Sequence, residues 1–181
     1  MNFLKQSVKL GGQGFLAVCI GAFGASQPGQ AAQLADGMVH FIQPPALMQV
    51  LIVPHQRNVP STYYFTIEVP ANAGESLQRL TISEQTGVDG ISYDLQKTRA
   101  FEARPLGQQI PVDSVMLDPK SRTVSITFST PVSPGRTVTV ALRTFRNPFM
   151  DGVYGFGVTA FPPGENAHGQ FLGFRQVHLY K

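Results

Sequence analysis

The end of the chain contains two apolar runs, residues 153–161 and 171–180. In each run, the residues at every second position form one set, and the residues between them form a second set of different residue types. Successive side chains of a β-strand point to opposite faces, so this alternation is typical of strands. The polar connection between the runs opens with two prolines and a glycine at residues 162–164, which favour a turn. The two runs therefore predict a β-hairpin with a long loop.

Two glycines, Gly155 and Gly157, lie at alternate positions of the first run and leave a shallow trough on one face. Phe171, Phe174 and Tyr180 are the candidates to fill it, because an aromatic ring over a strand glycine restores missing contacts. Strict alternation puts Phe171 and Phe174 on opposite faces of the second run. We expect that run to pair with the first as an interior strand, with Phe174 over the glycines.

Turn signals recur every eight to twelve residues from residue 33 to residue 181, and most segments between them alternate like strands. Eighteen glycines and fourteen prolines supply these turns, whereas no segment combines a strong helical pattern with helix caps. The clearest strand patterns cover residues 61–69, 123–128 and 136–146. This spacing predicts a single all-β domain over residues 32–181, an immunoglobulin-like sandwich of about seven to ten strands.

The first thirty residues have a different character from the rest of the chain. Two lysines precede an apolar core at residues 14–25, which is too short to cross a membrane. Small residues at 29 and 31 then suit the −3 and −1 positions of a cleavage site. The pattern predicts a secretory signal peptide over residues 1–31, cleaved near Ala31 or Ala32, and no transmembrane span in the mature chain. An uncleaved interfacial anchor is the alternative.

Cys19 is the only cysteine of the chain and lies inside the predicted signal peptide. A lipoprotein signal is not predicted, because Val18 stands where a glycine or alanine belongs. Cleavage leaves no thiol for a disulfide or a thiolate metal site. It also leaves twelve basic and eleven acidic residues. This balance does not favour nucleic acid or an anionic membrane as the partner.

Five blocks of the chain form a recognisable pattern: TYYFTIEVPANAGESLQRLTI (62–82), TRAFEARP (98–105), PVSPGRTVTVALRTFRNP (131–148), GVYGFGVTAFPPGE (152–165) and GQFLGFRQVHLY (169–180). Together they resemble a family of secreted cyanobacterial proteins that is catalogued as a domain of unknown function. The resemblance spans most of the chain after the predicted signal peptide. It implies a cyanobacterial source and an exported location, and it implies no known activity and no catalytic residues.

The pair Asp151-Gly152 before an aromatic strand is similar, at the level of the fold, to the immunoglobulin-like copper-resistance domains of the periplasm. Those domains place a ligand histidine at or near the mature N-terminus and further histidines on loops. Here the predicted N-terminus is Ala32 or Gln33, and Val153 follows the Asp-Gly pair. Both departures argue against copper at the positions that these domains use.

The four histidines show no metal-binding spacing along the sequence. His40 lies in an apolar run, which favours an ordinary strand residue. His55 and His168 lie in polar loops that a sandwich can bring to one end, where Met150 or Asp151 could join them. A copper or zinc site at these residues is an alternative function. Because a lone loop histidine is usually solvated, we assign no metal and no cofactor.

Catalytic signatures do not stand out in the sequence. The chain contains no GxSxG nucleophile elbow, no phosphate-binding loop and no dinucleotide fingerprint. The acidic residues that a glycosidase would need are scattered among strands and turns, at Glu68, Glu75, Glu84, Asp89, Asp94 and Glu102. We therefore predict that the chain is not an enzyme, and a hydrolase of envelope polymers is the least favoured alternative.

Arginines and aromatic residues are the candidates for partner binding. Arg143 and Arg175 lie on strands that we expect to be neighbours, where they could bind a carboxylate or a sulfated glycan, although protection of a sheet edge is favoured. Aromatic side chains also exceed what one core face requires, so some are expected in a surface patch. We predict an exported envelope or lumenal module that binds a protein or glycan, with Phe149, Tyr154, Arg143 and Arg175 as candidate contacts.

Overall fold

The computed structural model describes residues 32–33 and 37–181, and within them the chain forms thirteen β-strands and one short 3-10 helix, Leu95–Lys97. The predicted signal peptide lies outside the described residues. The strands are β1 (Ala32–Gln33), β2 (Val39–His40), β3 (Ala46–Val53), β4 (Thr62–Glu68), β5 (Leu77–Thr86), β6 (Ser92–Tyr93), β7 (Arg99–Glu102), β8 (Gln109–Ile110), β9 (Val112–Asp118), β10 (Thr123–Val132), β11 (Thr137–Arg146), β12 (Gly152–Phe161) and β13 (Gln170–Leu179).

The strands build two antiparallel sheets and one separate short pair. Sheet I has the order β13-β12-β5-β10-β9, and sheet II has the order β3-β4-β11-β7-β8, with β6 also paired to β11. β1 pairs only with β2 among the described strands. The eight strands of seven or more residues agree with the predicted seven to ten, and five further strands of two to four residues accompany them. The all-β sandwich is confirmed.

Alternation along the strands places one side-chain row of each sheet in a shared core. Phe156 of sheet I lies edge-on against Tyr63 and Phe65 of sheet II, with ring centroids 5.6 Å apart in both pairs. All three rings are buried within one continuous hydrophobic cluster that includes residues of both sheets. Each such ring contributes about 1.5–3 kcal/mol by leaving water, so the core holds the two sheets together.

The predicted terminal hairpin is present, and β12 pairs with β13 along its whole length. The ring of Phe174 covers Gly155, where a Cβ would collide with it, while Gln85 and Phe171 cover Gly157. The prediction of an interior strand is wrong in one respect, because β13 is the edge of sheet I. The strand is nevertheless packed against the fold, because Val177 and Leu179 of β13 are buried in the core.

A β-bulge changes the predicted alternation of β13. Val158 pairs with Gly173 and its neighbour Thr159 pairs with Phe171, which leaves Leu172 as the extra residue. Gly173 adopts a φ of +122°, a conformation that residues with a Cβ rarely adopt. The extra residue turns Leu172 toward the core, so the strict alternation that separated Phe171 from Phe174 was wrong. Both phenylalanines lie on the outer face, over the glycine trough.

Candidate functional site

Several loops meet at the end of the sandwich where β11 leads into β12. The connection at residues 148–151, which we call the Phe149 tip, lies beside the loop between β3 and β4. The backbone N–H of Asn58 donates to the carbonyl of Pro148 (3.0 Å), and that of Arg57 donates to the carbonyl of Tyr180 (3.0 Å). The chain end after β13 and the two loops are therefore joined by main-chain hydrogen bonds.

Asn147 anchors the base of this loop cluster from inside the molecule. Its side chain is buried, and its Oδ1 accepts a hydrogen bond from the hydroxyl of Tyr63 (2.9 Å). Its Nδ2 donates to the carbonyl of Gln56 and to Oγ of Ser61, at 2.7 Å each. Burial raises the pKa of Tyr63, so the phenol stays protonated and remains the donor. One amide thus ties the start of the tip to the β3–β4 loop.

The backbone of the Phe149 tip is fixed by side chains from three other segments. Oδ2 of Asp89 accepts hydrogen bonds from the backbone N–H groups of Phe149 (2.8 Å) and Met150 (3.2 Å). The guanidinium of Arg57 donates to the carbonyl of Phe149 at 3.1 Å. The hydroxyl of Tyr154 donates to the carbonyl of Met150 at 2.9 Å. These bonds hold the loop in one conformation although it protrudes from the fold.

The side chains of the tip form an exposed apolar surface. Phe149 and Met150 are each 50% exposed, and Val88 from the β5–β6 loop, next to Asp89, is exposed as well. The guanidinium carbon of Arg146 lies 4.1 Å from the ring centroid of Phe149, a cation–π contact that covers one face of the ring. A large apolar side chain that is both exposed and held in place is typical of a binding hot spot.

The sequence alone placed Tyr154 among the surface candidates, and the structure places it in the interior. Its side chain is 2% exposed and belongs to the hydrophobic core. Burial, together with the nearby carboxylate of Asp89, raises the pKa of Tyr154, which keeps its hydroxyl protonated as a donor to Met150. Tyr154 therefore supports the tip from below and presents no ring face to a partner.

Comparison with known proteins identifies a family. Residues 38–179 match the model of the family described as Protein of unknown function (DUF2808). The chain belongs to this family. No curated protein matches the chain. Within the described part of the chain, no helix is long and apolar enough to span a membrane.

Solved structures with a similar arrangement of strands include immunoglobulin-like domains of bacterial surface proteins. The N-terminal domain of a Streptococcus gordonii adhesin aligns with a TM-score of 0.48 at 13% identity, covering 78% of this chain and 34% of that chain. The major pilin SpaD of Corynebacterium diphtheriae aligns with a TM-score of 0.47 at 8% identity, covering 74% and 34%. The chain thus spans about a third of the length of these two structures. The likeness concerns the fold alone.

The two arginines that we expected on neighbouring strands lie in different sheets, so that expectation was wrong. Arg143 is on β11 of sheet II and donates to the hydroxyl of Thr62 (3.1 Å). Arg175 is on β13, the edge of sheet I, and donates to the carbonyl of Leu47 (3.2 Å) on β3, the edge of sheet II. Arg175 therefore joins two sheet edges, which favours edge protection over ligand binding.

The structure separates the two histidines that the sequence offered as a metal site. The ring of His55 packs on Tyr180, just after the end of β13, with centroids 4.9 Å apart. His168 precedes the start of the same strand, which has ten residues and a length of about 30 Å. One ion cannot contact both rings. No group of three or more His, Cys, Asp or Glu side chains gathers anywhere in the described residues.

Four of the six candidate acidic residues have structural partners: Glu84, Asp89, Asp94 and Glu102. Glu102 forms an ion pair with Arg136, and Asp94 with Lys97. Glu84 points inward, where burial raises its pKa and the N–H of Ile91 and the hydroxyl of Tyr93 partly offset that effect by hydrogen bonding. The cavities lined by Glu84 and by Glu102 each contain a single carboxylate. A glycosidase mechanism needs two, so this geometry does not favour a hydrolase.

Sequence reasoning selected Phe149 but missed the residues that fix it. Asp89 and Arg57 contact the tip across 60 and 92 residues of sequence, so no local pattern links them to it. Asp89 was considered only as a possible catalytic acid. The one available signal was its place before Gly90 in a predicted turn, where aspartate commonly accepts backbone hydrogen bonds.

Proposed function

We propose that this protein is an exported, non-enzymatic binding module whose Phe149 tip inserts into an apolar pocket of a protein partner. One observation carries the proposal: the tip exposes Phe149 and Met150 while Asp89, Arg57 and Tyr154 hold its backbone. A loop without a binding role gains little from presenting large apolar side chains to water. A fixed one loses less conformational entropy when a partner covers it.

The chemistry of the tip favours a protein over a glycan. Sugar rings bind aromatic side chains through an open ring face, and the guanidinium of Arg146 already covers one face of Phe149. The neighbouring exposed groups, Met150 and Val88, are aliphatic and offer a sugar no hydrogen bonds. The backbone N–H and C=O groups of Phe149 and Met150 are used internally by Asp89, Arg57 and Tyr154. An apolar pocket on another protein matches such a surface.

Site-specific photo-cross-linking tests the proposal. A photoreactive phenylalanine analogue replaces Phe149 in one sample and Leu106 in a matched control, and both proteins are irradiated in cells that produce them. Leu106 is also exposed, but it follows β7, which pairs with the opposite end of β11. We expect one protein species to be cross-linked from position 149 and not from position 106, and mass spectrometry identifies it.

Affinity for that cross-linked protein provides the quantitative test. Phe149→Ser should weaken binding about 30-fold or more, as expected for loss of a hot-spot side chain. Leu106→Ser should leave the affinity unchanged, and both variants should keep the melting temperature of the parent protein. Equal cross-linking from the two positions, or labelling of glycan alone, would contradict the proposal.

The export half of the proposal rests on the apolar core at residues 14–25 and on the resemblance to secreted proteins. It is tested separately by producing the full chain in its own host and determining the N-terminal residue of the accumulated protein. We expect Ala32 or Gln33 in an extracytoplasmic fraction. A cytoplasmic protein that begins at Met1 would show that no leader is removed, whatever the tip binds.

A further inference from the structure

Two histidines that lie far apart in sequence pack against each other away from the Phe149 tip. The rings of His40 and His168 have centroids 4.7 Å apart and planes inclined by 35°. The backbone fixes this approach, because the N–H of Val39 donates to the carbonyl of Asn166 (3.1 Å) and the N–H of His168 donates to the carbonyl of Val39 (3.0 Å). The rings are therefore brought together by the fold.

The separation of the rings suits a shared metal ion. Consider an ion about 2.0–2.1 Å from one nitrogen of each imidazole. If the angle between the two metal–nitrogen bonds is about 90–110°, the ring centroids lie roughly 4.5–5.3 Å apart. The observed 4.7 Å lies within this interval. Binding requires that the two rings turn until one nitrogen of each is directed at a common point.

A methionine lines the same cavity as one of the two histidines. Met38, two residues before His40, lines a cavity of about 330 Å³ together with His168, and both side chains are exposed to solvent there. An ion can reach the ring of His168 through this cavity, and the sulfur of Met38 is a soft ligand on its wall. We propose that His40, His168 and Met38 bind one Cu(I) ion.

The ligand types decide the metal. Imidazole nitrogen accepts copper, zinc and nickel, whereas a thioether selects Cu(I) among these ions. Zinc sites are completed by thiolates, carboxylates or further histidines, and no group of three or more such side chains gathers within the described residues. Hard ions such as calcium need oxygen ligands, which this pair of rings does not supply.

Copper titration against a chromogenic Cu(I) chelator tests the site under anaerobic, reducing conditions. All samples are full-length chain carrying Cys19→Ser, because the thiolate of Cys19 would itself bind Cu(I). The variants are His168→Asn, His40→Asn and Met38→Leu. His55→Asn is the matched control, since His55 packs on Tyr180 at the other end of β13. Circular dichroism without copper verifies that each variant is folded.

We expect one equivalent of Cu(I) per chain and a Kd raised at least about 100-fold in each histidine variant. His55→Asn should retain the parent affinity. X-ray absorption of the copper complex should show one sulfur and two nitrogen ligands, with the sulfur lost in Met38→Leu. If His40→Asn does not fold, His168→Asn, in an exposed loop, still decides the question. Absence of stoichiometric binding, or equal affinity of His168→Asn and His55→Asn, would overturn the proposal.

Discussion

Asn147 shows how much one buried polar side chain can determine. Its amide accepts from Tyr63 and donates to Gln56 and Ser61, so it joins a core ring to the loop beside the Phe149 tip. An alanine at this position leaves the buried phenol of Tyr63 and the buried hydroxyl of Ser61 with fewer partners, and the carbonyl of Gln56 loses its amide donor. Each unsatisfied group costs about 1–3 kcal/mol.

Asn147→Ala should therefore lower the free energy of unfolding by about 3 kcal/mol or more, measured by urea denaturation. Asn72→Ala, in the exposed turn before β5, is the control and should change it by less than about 0.5 kcal/mol. A loss of equal size in the two variants would mean that the Asn147 network contributes nothing specific.

Glu84 gives the protein a pH dependence of known sign. Burial raises its pKa above the ordinary value of 4.5. The ordinary pKa applies to the unfolded state and the raised pKa to the native state. At a pH between them the native state holds a proton that the unfolded state has released, so the contribution of Glu84 to stability falls as pH rises through this window. Above both pKa values the carboxylate is ionised and partly desolvated in the native state, and its destabilising effect is fully developed.

Glu84→Gln should remove this dependence, because the amide oxygen still accepts from the N–H of Ile91 and carries no charge. We expect the stability of the variant, relative to the parent, to increase between about pH 4 and pH 8 in urea titrations. Glu165→Gln, on the exposed β12–β13 loop, is the matched control. A difference that stays constant over this range, or decreases, would contradict the assignment.

At the scale of elements, strands were predictable wherever alternation was strict. The patterns at residues 61–69 and 136–146 differ by no more than one residue at each end from β4 and β11. The pattern at residues 123–128 predicted a shorter strand, yet β10 continues through Pro131 to Val132. The pairing of β10 with β5 is irregular there, between Thr127 and Val132. A strand tolerates proline at such an irregularity, and local sequence does not reveal it.

The last strand of the chain is an edge strand on which the fold depends. Its core side contributes Val177 and Leu179, and Leu172 packs against the same cluster. Its outer side supplies Phe174, which covers Gly155. Each fully buried apolar side chain contributes about 1.5–3 kcal/mol, and a domain has only about 5–15 kcal/mol in total.

Truncation after Gly169 should therefore prevent folding, with no cooperative thermal transition in circular dichroism. Removal of Lys181 alone, which is exposed, is the control and should leave the transition unchanged. Soluble truncated protein that melts cooperatively near the temperature of the full chain would show that β13 is peripheral to stability.

Function depends on contacts at the scale of the whole molecule, which the sequence predicted least well. The exposed Phe149 was a reasonable candidate, since large aromatic residues exceeded the needs of one core face. Its connection to Asp89 and the approach of His40 to His168 depend on the order of strands in two sheets. Hydrophobic periodicity determines which face a residue occupies, but it does not determine which strands become neighbours.

The core joins the two sheets into one cooperative unit, and this has a measurable consequence. Ile126 on β10 of sheet I and Ile67 on β4 of sheet II are both fully buried in the same continuous cluster. A cavity at either site removes contacts from both layers, so neither sheet can unfold while the other keeps its packing.

Ile126→Ala and Ile67→Ala should each lower the free energy of unfolding by about 2–5 kcal/mol. Far-ultraviolet circular dichroism and tyrosine fluorescence should report one coincident urea transition with an unchanged slope in both variants. Met116→Ala, exposed on β9, is the control and should cost less than about 0.5 kcal/mol. A shared core allows no stable state in which one sheet persists alone. Two separated transitions, or a loss of stability reported by only one of the probes, would therefore mean that the sheets unfold independently.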